Sequence, residues 1–218
     1  MSVATPTTTC RPTEFQIKGI LIHLIDPLEA ARVFARERGD SIVVPHPANE
    51  RYWAQVSGAS ERDFLPPQSD GEEAAFALGL SIARPKDRVI MLDVDEALLS
   101  NLGVLVTISE AAPQNLVHVL FQSGVRSGRA GLPLPGGNDT DFATIARGAG
   151  YLNAYQFDDL EELAGEAARI LNESGPTMLV IKVDPHSGGW DAASPSRRHD
   201  MSEAIRDYRA NLKDADKP

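Results

Sequence analysis

Two short apolar runs, Val89–Leu92 and Leu116–Phe121, each end in a cluster of oxygen-bearing residues, and a helical pattern joins them. The first run gives way to Asp93, Asp95 and Glu96; the second gives way to Gln122, Ser123 and Gly124. Continuous apolar runs of this length fit strands buried on both faces, and two such strands joined by a helix form a parallel unit. Open parallel sheets bind ligands outside the carboxyl ends of their strands. The stretch from Asp87 to Gly131 is therefore where a site is sought first.

The rest of the chain repeats the pattern. Gly19–Ile25 is apolar and fits either a strand or the start of a helix. Asp26 followed by Pro27 is a helix start, and Gly39 fits its stop. Ser41–Val44 reads as a strand ended by Pro45-His46-Pro47, and residues 57–71 read as loop. A helix is expected from Glu72, with Ala75, Leu78, Gly79 and Ile82 on its packed face and Gly79 close to another backbone. One helix is expected over Ala97–Ala111 and a short one over Asp139–Gly148. Tyr151–Tyr155 and Met178–Val183 read as strands, with a helix started by Asp158 or Asp159 between them. Strands alternating with helices predict an α/β fold, a parallel sheet with helices on both faces. The expected organisation is a leader over 1–18, one domain over 19–186, and a polar tail over 187–218 with a helix at Ser202–Leu212.

Composition narrows the function classes. The chain has 218 residues, 42% of them hydrophobic, enough for a sizeable core. Its net charge of -10 shows no basic face for nucleic acid. No stretch approaches the roughly 20 apolar residues that span a membrane. The single cysteine, Cys10, cannot form an internal disulfide, and residues 1–13 lack the apolar core of a signal peptide, so a soluble cytoplasmic protein is expected. Phosphate-loop, dinucleotide, zinc-protease and nucleophile-elbow motifs are absent.

The strand ends remain. Magnesium takes hard oxygen ligands, usually one or two carboxylates with phosphate and water oxygens. Asp95, a hydroxyl or amide at 122–123 and a backbone carbonyl just beyond supply such donors. Equally, Asp95 and Glu96 can simply favour the start of the next helix. Arg126 and Arg129 lie in a loop with Gly124, Gly128, Gly131, Gly136 and Gly137; they either clamp an anion or stand in solvent. His46 is either an acid–base group or a loop bystander. His118 reads as a core residue; His23, His186 and His199 have no companions, and Trp53 and Trp190 read as packing or interface residues.

The segments LDVDEALLSNLGVLVTIS (92–109) and QNLVHVLFQSGVRSGRAG (114–131) resemble, in order and spacing, the diphosphate-binding half of thiamine diphosphate enzymes. The resemblance is greatest to the small second subunit of sulfopyruvate and phosphonopyruvate decarboxylases. GLSIARPKDRVIML (79–92), TDFATIARGAGY (140–151) and GPTMLVIKVDP (175–185) extend it over residues 22–186. The family ends its first strand in Gly-Asp-Gly and its second in Asn, and these hold magnesium and the cofactor diphosphate. Here Val94 and Glu96 replace the glycines and Ser123 stands for the asparagine.

The resemblance implies thiamine diphosphate and Mg2+ as cofactors. It implies Asp95, Glu96, Ala97, Ser123 and Val125 as cofactor-binding positions, with Asp95, Ser123 and Val125 on the metal. Asp70, in Ser69-Asp70-Gly71, stands where the family methionine supports the bent cofactor, and His46 falls at a family glycine. Both are candidates for catalysis, and Arg126 and Arg129 for a substrate anion. The implied activity is decarboxylation of a small 2-oxo acid, a lyase reaction. It requires a pyrimidine-binding subunit, with self-association alongside or instead. The alternative is a non-catalytic or repurposed subunit of the same fold that stabilises or regulates a partner.

Overall fold

The computed structural model describes residues 24–66, 71–126 and 132–185, the backbones of 16–17 and 20–21, and residues 205–206 and 208–210. Gln16–Ile17 (β1) and Ile20–Leu21 (β2) form a small antiparallel pair, which settles part of the 19–25 stretch as strand. The main sheet is parallel and contains β3 (Ile42–Pro45), β4 (Val89–Val94), β5 (Leu116–Gln122), β6 (Asn153–Phe157) and β7 (Thr177–Lys182). Its order is β3-β4-β5-β7-β6. All five strands therefore present their carboxyl ends to one edge.

The helices divide between the two faces. α1 (Pro27–Glu37), α2 (Pro47–Val56) and α7 (Leu160–Asn172) cover one. There Phe34, Trp53 and Ala167 pack with Val43, Ile90, Val119 and Leu179. On the other lie α3 (Glu73–Ala83), α4 (Asp95–Ser100), α5 (Val104–Ala111) and α6 (Phe142–Ala149). There Ala77, Leu105 and Phe142 pack with Ile42, Met91, Leu120 and Val180. Alternate strand residues serve alternate faces, so a strand covered on both sides reads as unbroken apolar sequence. Asp26 caps α1 by accepting N–H from Leu28 at 2.8 Å, and Asp159, not Asp158, caps α7.

Several expectations need correction. Pro45-His46-Pro47 does not open a loop. His46 is the N-cap of α2, its Nδ1 accepting from Ala48 N–H at 3.1 Å, and Pro47 is the first helical residue. The expected helix 97–111 begins at Asp95 and breaks over residues 101–103, where Asn101 leaves the helical conformation and donates its side-chain amide to the Gly71 carbonyl at 3.0 Å. The packed face of α3 is Glu73, Ala74, Ala77, Leu78 and Ser81; Ala75, Gly79 and Ile82 are exposed. Nothing lies within 4 Å of where a Gly79 Cβ would project, so the close approach belongs elsewhere. It is at Gly71, whose φ is +90° and whose Cβ would strike the Ala97 carbonyl. The polar tail also packs in part: Tyr208 is buried and meets Phe64 edge-on, with ring centroids 5.0 Å apart. The rest of the expected 202–212 helix lies outside the described residues. Among the described residues, no helix is long and apolar enough to cross a membrane.

Candidate functional site

The carboxyl ends of β4 and β5 meet at Asp95 and Ser123. β4 and β5 pair through Val94 and Phe121, so the residues that follow leave the sheet side by side. The Asp95 carboxylate is 1% exposed. Its Oδ2 accepts the backbone N–H of Ser123 at 2.9 Å and of Gly124 at 2.6 Å. Its Oδ1 accepts the N–H of Glu96 at 3.0 Å. Burial nevertheless dominates, and it raises the Asp95 pKa to about 7; the N–H groups of Gly124, Ser123 and Glu96 oppose the rise.

Ser123 Oγ lies 3.4 Å from Asp95 Oδ1 and 3.1 Å from the Val125 carbonyl oxygen. Two further hard oxygens thus lie near Ser123 Oγ at the ends of two strands. An octahedral magnesium ion with bonds of 2.0–2.1 Å has adjacent ligand oxygens about 3 Å apart. The donor chemistry and the spacing both fit such an ion. Gly124 makes the turn possible: its φ is +72°, and a Cβ there would press on Asn138 Oδ1.

The side chains of Val94 and Glu96 find their partners outside this oxygen set. Val94 is 1% exposed and its side chain joins the core on the α1/α2/α7 face. Glu96 reaches Arg126, with 3.0 Å between Oε1 and the guanidinium. Arg126 thus pairs with a carboxylate of the chain itself. Ala97 puts its methyl into the core and its carbonyl against Gly71. Asp70 and Arg129 lie outside the described residues.

Support comes from Asn49 and Tyr151, which the sequence does not single out, together with Asp93 and His118. The Asn49 amide donates to the carbonyls of Leu92 and Asp93 at 3.1 and 3.0 Å, holding the end of β4 from α2. From the opposite face of the sheet, Asp93 Oδ2 lies 2.9 Å from His118 Nε2, and His118 Nδ1 lies 3.1 Å from the Tyr151 hydroxyl. A carboxylate only accepts, so Nε2 carries a proton, and in the neutral ring the hydroxyl donates to Nδ1. Burial, and secondarily the Asp93 charge, hold the Tyr151 pKa above the ordinary phenol value. Asp93 Oδ1 in turn accepts the Val94 N–H at 2.8 Å. His118 is thus a core residue, as expected, but a bonded one.

His46 lies one strand over, with its N–H bonded to the Leu92 carbonyl at 2.8 Å. Its Nε2 is 3.8 Å from Oε1 of Glu73, a buried acid in the first turn of α3. Nothing in the spacing of the sequence marks Glu73 as a companion. Among the described residues, no group of three or more His, Cys, Asp or Glu side chains is arranged to hold a metal ion. The oxygen set at Asp95 uses a hydroxyl and a carbonyl instead.

The five-stranded parallel sheet with helices on both faces matches the fold of thiamine diphosphate-dependent enzymes. The thiamine diphosphate-dependent 4-hydroxybenzoylformate decarboxylase of Rhodococcus jostii superposes with a TM-score of 0.58 at 17% identity, over 82% of this chain and 36% of that one. The benzoylformate decarboxylase of Polynucleobacter necessarius gives 0.61 at 16%, over 80% and 35%. By sequence, the sulfopyruvate decarboxylase subunit beta of Methanocaldococcus jannaschii is 30% identical over 141 residues, 65% of this chain and 72% of the relative. The phosphonopyruvate decarboxylase of Streptomyces hygroscopicus is 27% identical over 138 residues, 63% of this chain and 34% of the relative. The chain belongs to the family of the sulfopyruvate and phosphonopyruvate decarboxylases. It spans about a third of the length of the phosphonopyruvate decarboxylases it matches. No protein-family model matches it.

Proposed function

We propose that this chain is the diphosphate-binding subunit of a thiamine diphosphate-dependent decarboxylase acting on a small 2-oxo acid. The observation that carries the reading is the placement of Ser123 Oγ within 3.4 Å of Asp95 Oδ1 and 3.1 Å of the Val125 carbonyl. These three groups would hold Mg2+, and Glu96 and Ala97 would line the diphosphate. When bound, the cofactor supplies the electron sink for the carbanion left by loss of carbon dioxide. This chain's own residues bind and orient: Asp95 anchors the metal, and Asn49, Asp93 and His118 keep its strand end in place. His46, beside Glu73, is the candidate to hold or pass a proton. Asp70 stays a candidate for supporting the cofactor, and Arg129 for meeting a substrate anion. Residues 19–186 form the binding domain, and a pyrimidine-binding subunit, with or without a second copy of this chain, completes the site.

Calorimetry with thiamine diphosphate and magnesium, on the lone chain and on its complex with a pyrimidine-binding subunit, tests this. Heat of binding that is lost in Asp95→Ala supports it; no heat in either preparation sinks it.

A second reading draws on a specific feature. Asp95 already accepts three backbone N–H groups, which suits a purely structural role in a non-catalytic subunit. On that reading Asp95→Ala lowers the melting temperature but leaves the activity of the intact complex unchanged. On the first reading the same substitution lowers activity by orders of magnitude.

A further inference from the structure

We propose that Glu96 and Arg126 form an exchangeable pair that sets how tightly the Asp95–Ser123 platform holds a phosphate-class anion. The inference rests on the diphosphate reading above and adds a regulating element to it.

Two opposite charges, 30 positions apart in sequence, meet in space. Glu96 is in the first turn of α4, directly after Asp95, and Arg126 directly follows Val125, whose carbonyl lies 3.1 Å from Ser123 Oγ. The side chains are 3.0 Å apart and remain 23% and 40% exposed. The Arg126 backbone is fixed: its N–H bonds the Leu132 carbonyl at 2.8 Å, Leu134 N–H bonds the Gly124 carbonyl at 2.9 Å, and Val125 bridges Pro133. Movement at this position is therefore a matter of the side chain.

A guanidinium takes a carboxylate or a phosphate with the same fork of donors. A partly exposed ion pair is weak and screened by water. A diphosphate carries more charge than one carboxylate, so it competes well for Arg126 once it sits on the platform. The pair is thus a built-in competitor. Glu96 weakens anion binding by occupying Arg126, and Arg126 strengthens it when released.

The test is calorimetric titration of the full chain with inorganic pyrophosphate and magnesium at constant ionic strength. Wild type, Glu96→Gln, Arg126→Gln, the double variant and Asp95→Asn are compared. Arg126→Gln should weaken binding about tenfold, and Glu96→Gln should tighten it by about the same factor. In the Arg126→Gln background, Glu96→Gln should gain less than about threefold, because no arginine remains to release. An unchanged affinity in Arg126→Gln overturns the proposal. So does an equal gain from Glu96→Gln in both backgrounds, which marks simple through-space repulsion. If Asp95→Asn abolishes binding while Arg126→Gln leaves it intact, the platform stands and the pair falls. If wild type takes up no pyrophosphate, both fall.

Discussion

Asp95 and Glu96 are consecutive carboxylates in the first turn of one short helix, yet their surroundings are opposite. Asp95 is buried, with backbone N–H groups and a hydroxyl around it and, among the described residues, no cationic side chain bonded to it. Glu96 is partly exposed and ion-paired with Arg126. The inner carboxylate is governed by desolvation and the outer one by a screened charge pair. The inner half of the site should therefore respond to pH and metal, and the outer half to ionic strength and competing anions.

The largest expected effect tests the inner half. Asp95 titrates near 7 in the folded chain and near 3.8 when unfolded. Between these values the folded chain keeps a proton that the unfolded chain has lost. Stability therefore falls as pH rises from about 4 to 7 and is flat with respect to this group above 7. The full cost is up to about 4 kcal/mol. Urea denaturation across this range, comparing wild type with Asp95→Asn, should show a downward slope that the variant lacks. Magnesium should flatten the wild-type slope, because metal and proton compete for the same oxygens. Identical slopes in the two proteins would erase the distinction between the two carboxylates.

The next effect tests what supports the inner half. His118→Leu leaves Asp93 buried without its imidazole and should cost about 3 kcal/mol in urea denaturation. Tyr151→Phe removes one hydroxyl and should cost about 1 kcal/mol. In the double variant the two losses should add to less than their sum, because Tyr151 acts through the ring. Full additivity would mean that the three groups do not form one network.

These two levels were unequally legible in the sequence. The sheet was visible because its strands are apolar on both faces, and the site because acids and hydroxyls follow two of them directly. The pairing of Asp93, His118 and Tyr151 was not visible, since it joins positions 25 and 33 apart through a register that only the sheet defines. Helix α2 was obscured because His46-Pro47 reads equally well as the end of a strand. The α3 face was misjudged because Ala74, Ala75, Phe76, Ala77, Leu78, Leu80 and Ile82 make that helix apolar almost all round, so periodicity could not choose a side. The break after α4 falls at Asn101 and Gly103, residues that suit helix ends, but the bond from Asn101 to Gly71 beside it joins positions that no local pattern links. Glu96 and Arg126 were each conspicuous as charges, but their meeting was not.

The smallest expected effect belongs to the outer half. Arg126→Gln breaks a pair whose members keep access to water, so it should change folding stability by less than about 0.5 kcal/mol. The fixed hydrogen bonds around Arg126 are made by backbone atoms, which the substitution leaves in place. Thermal denaturation at low and high salt gives the check, and the two melting temperatures should shift together in wild type and variant. A loss above about 1 kcal/mol would mean that the pair is a structural clasp. An arginine that the fold needs in place is not one that a ligand can draw away. A near-absent stability effect would leave Arg126 available to the competing anion of the proposal, whereas Asp95 is tied to the backbone N–H groups around it.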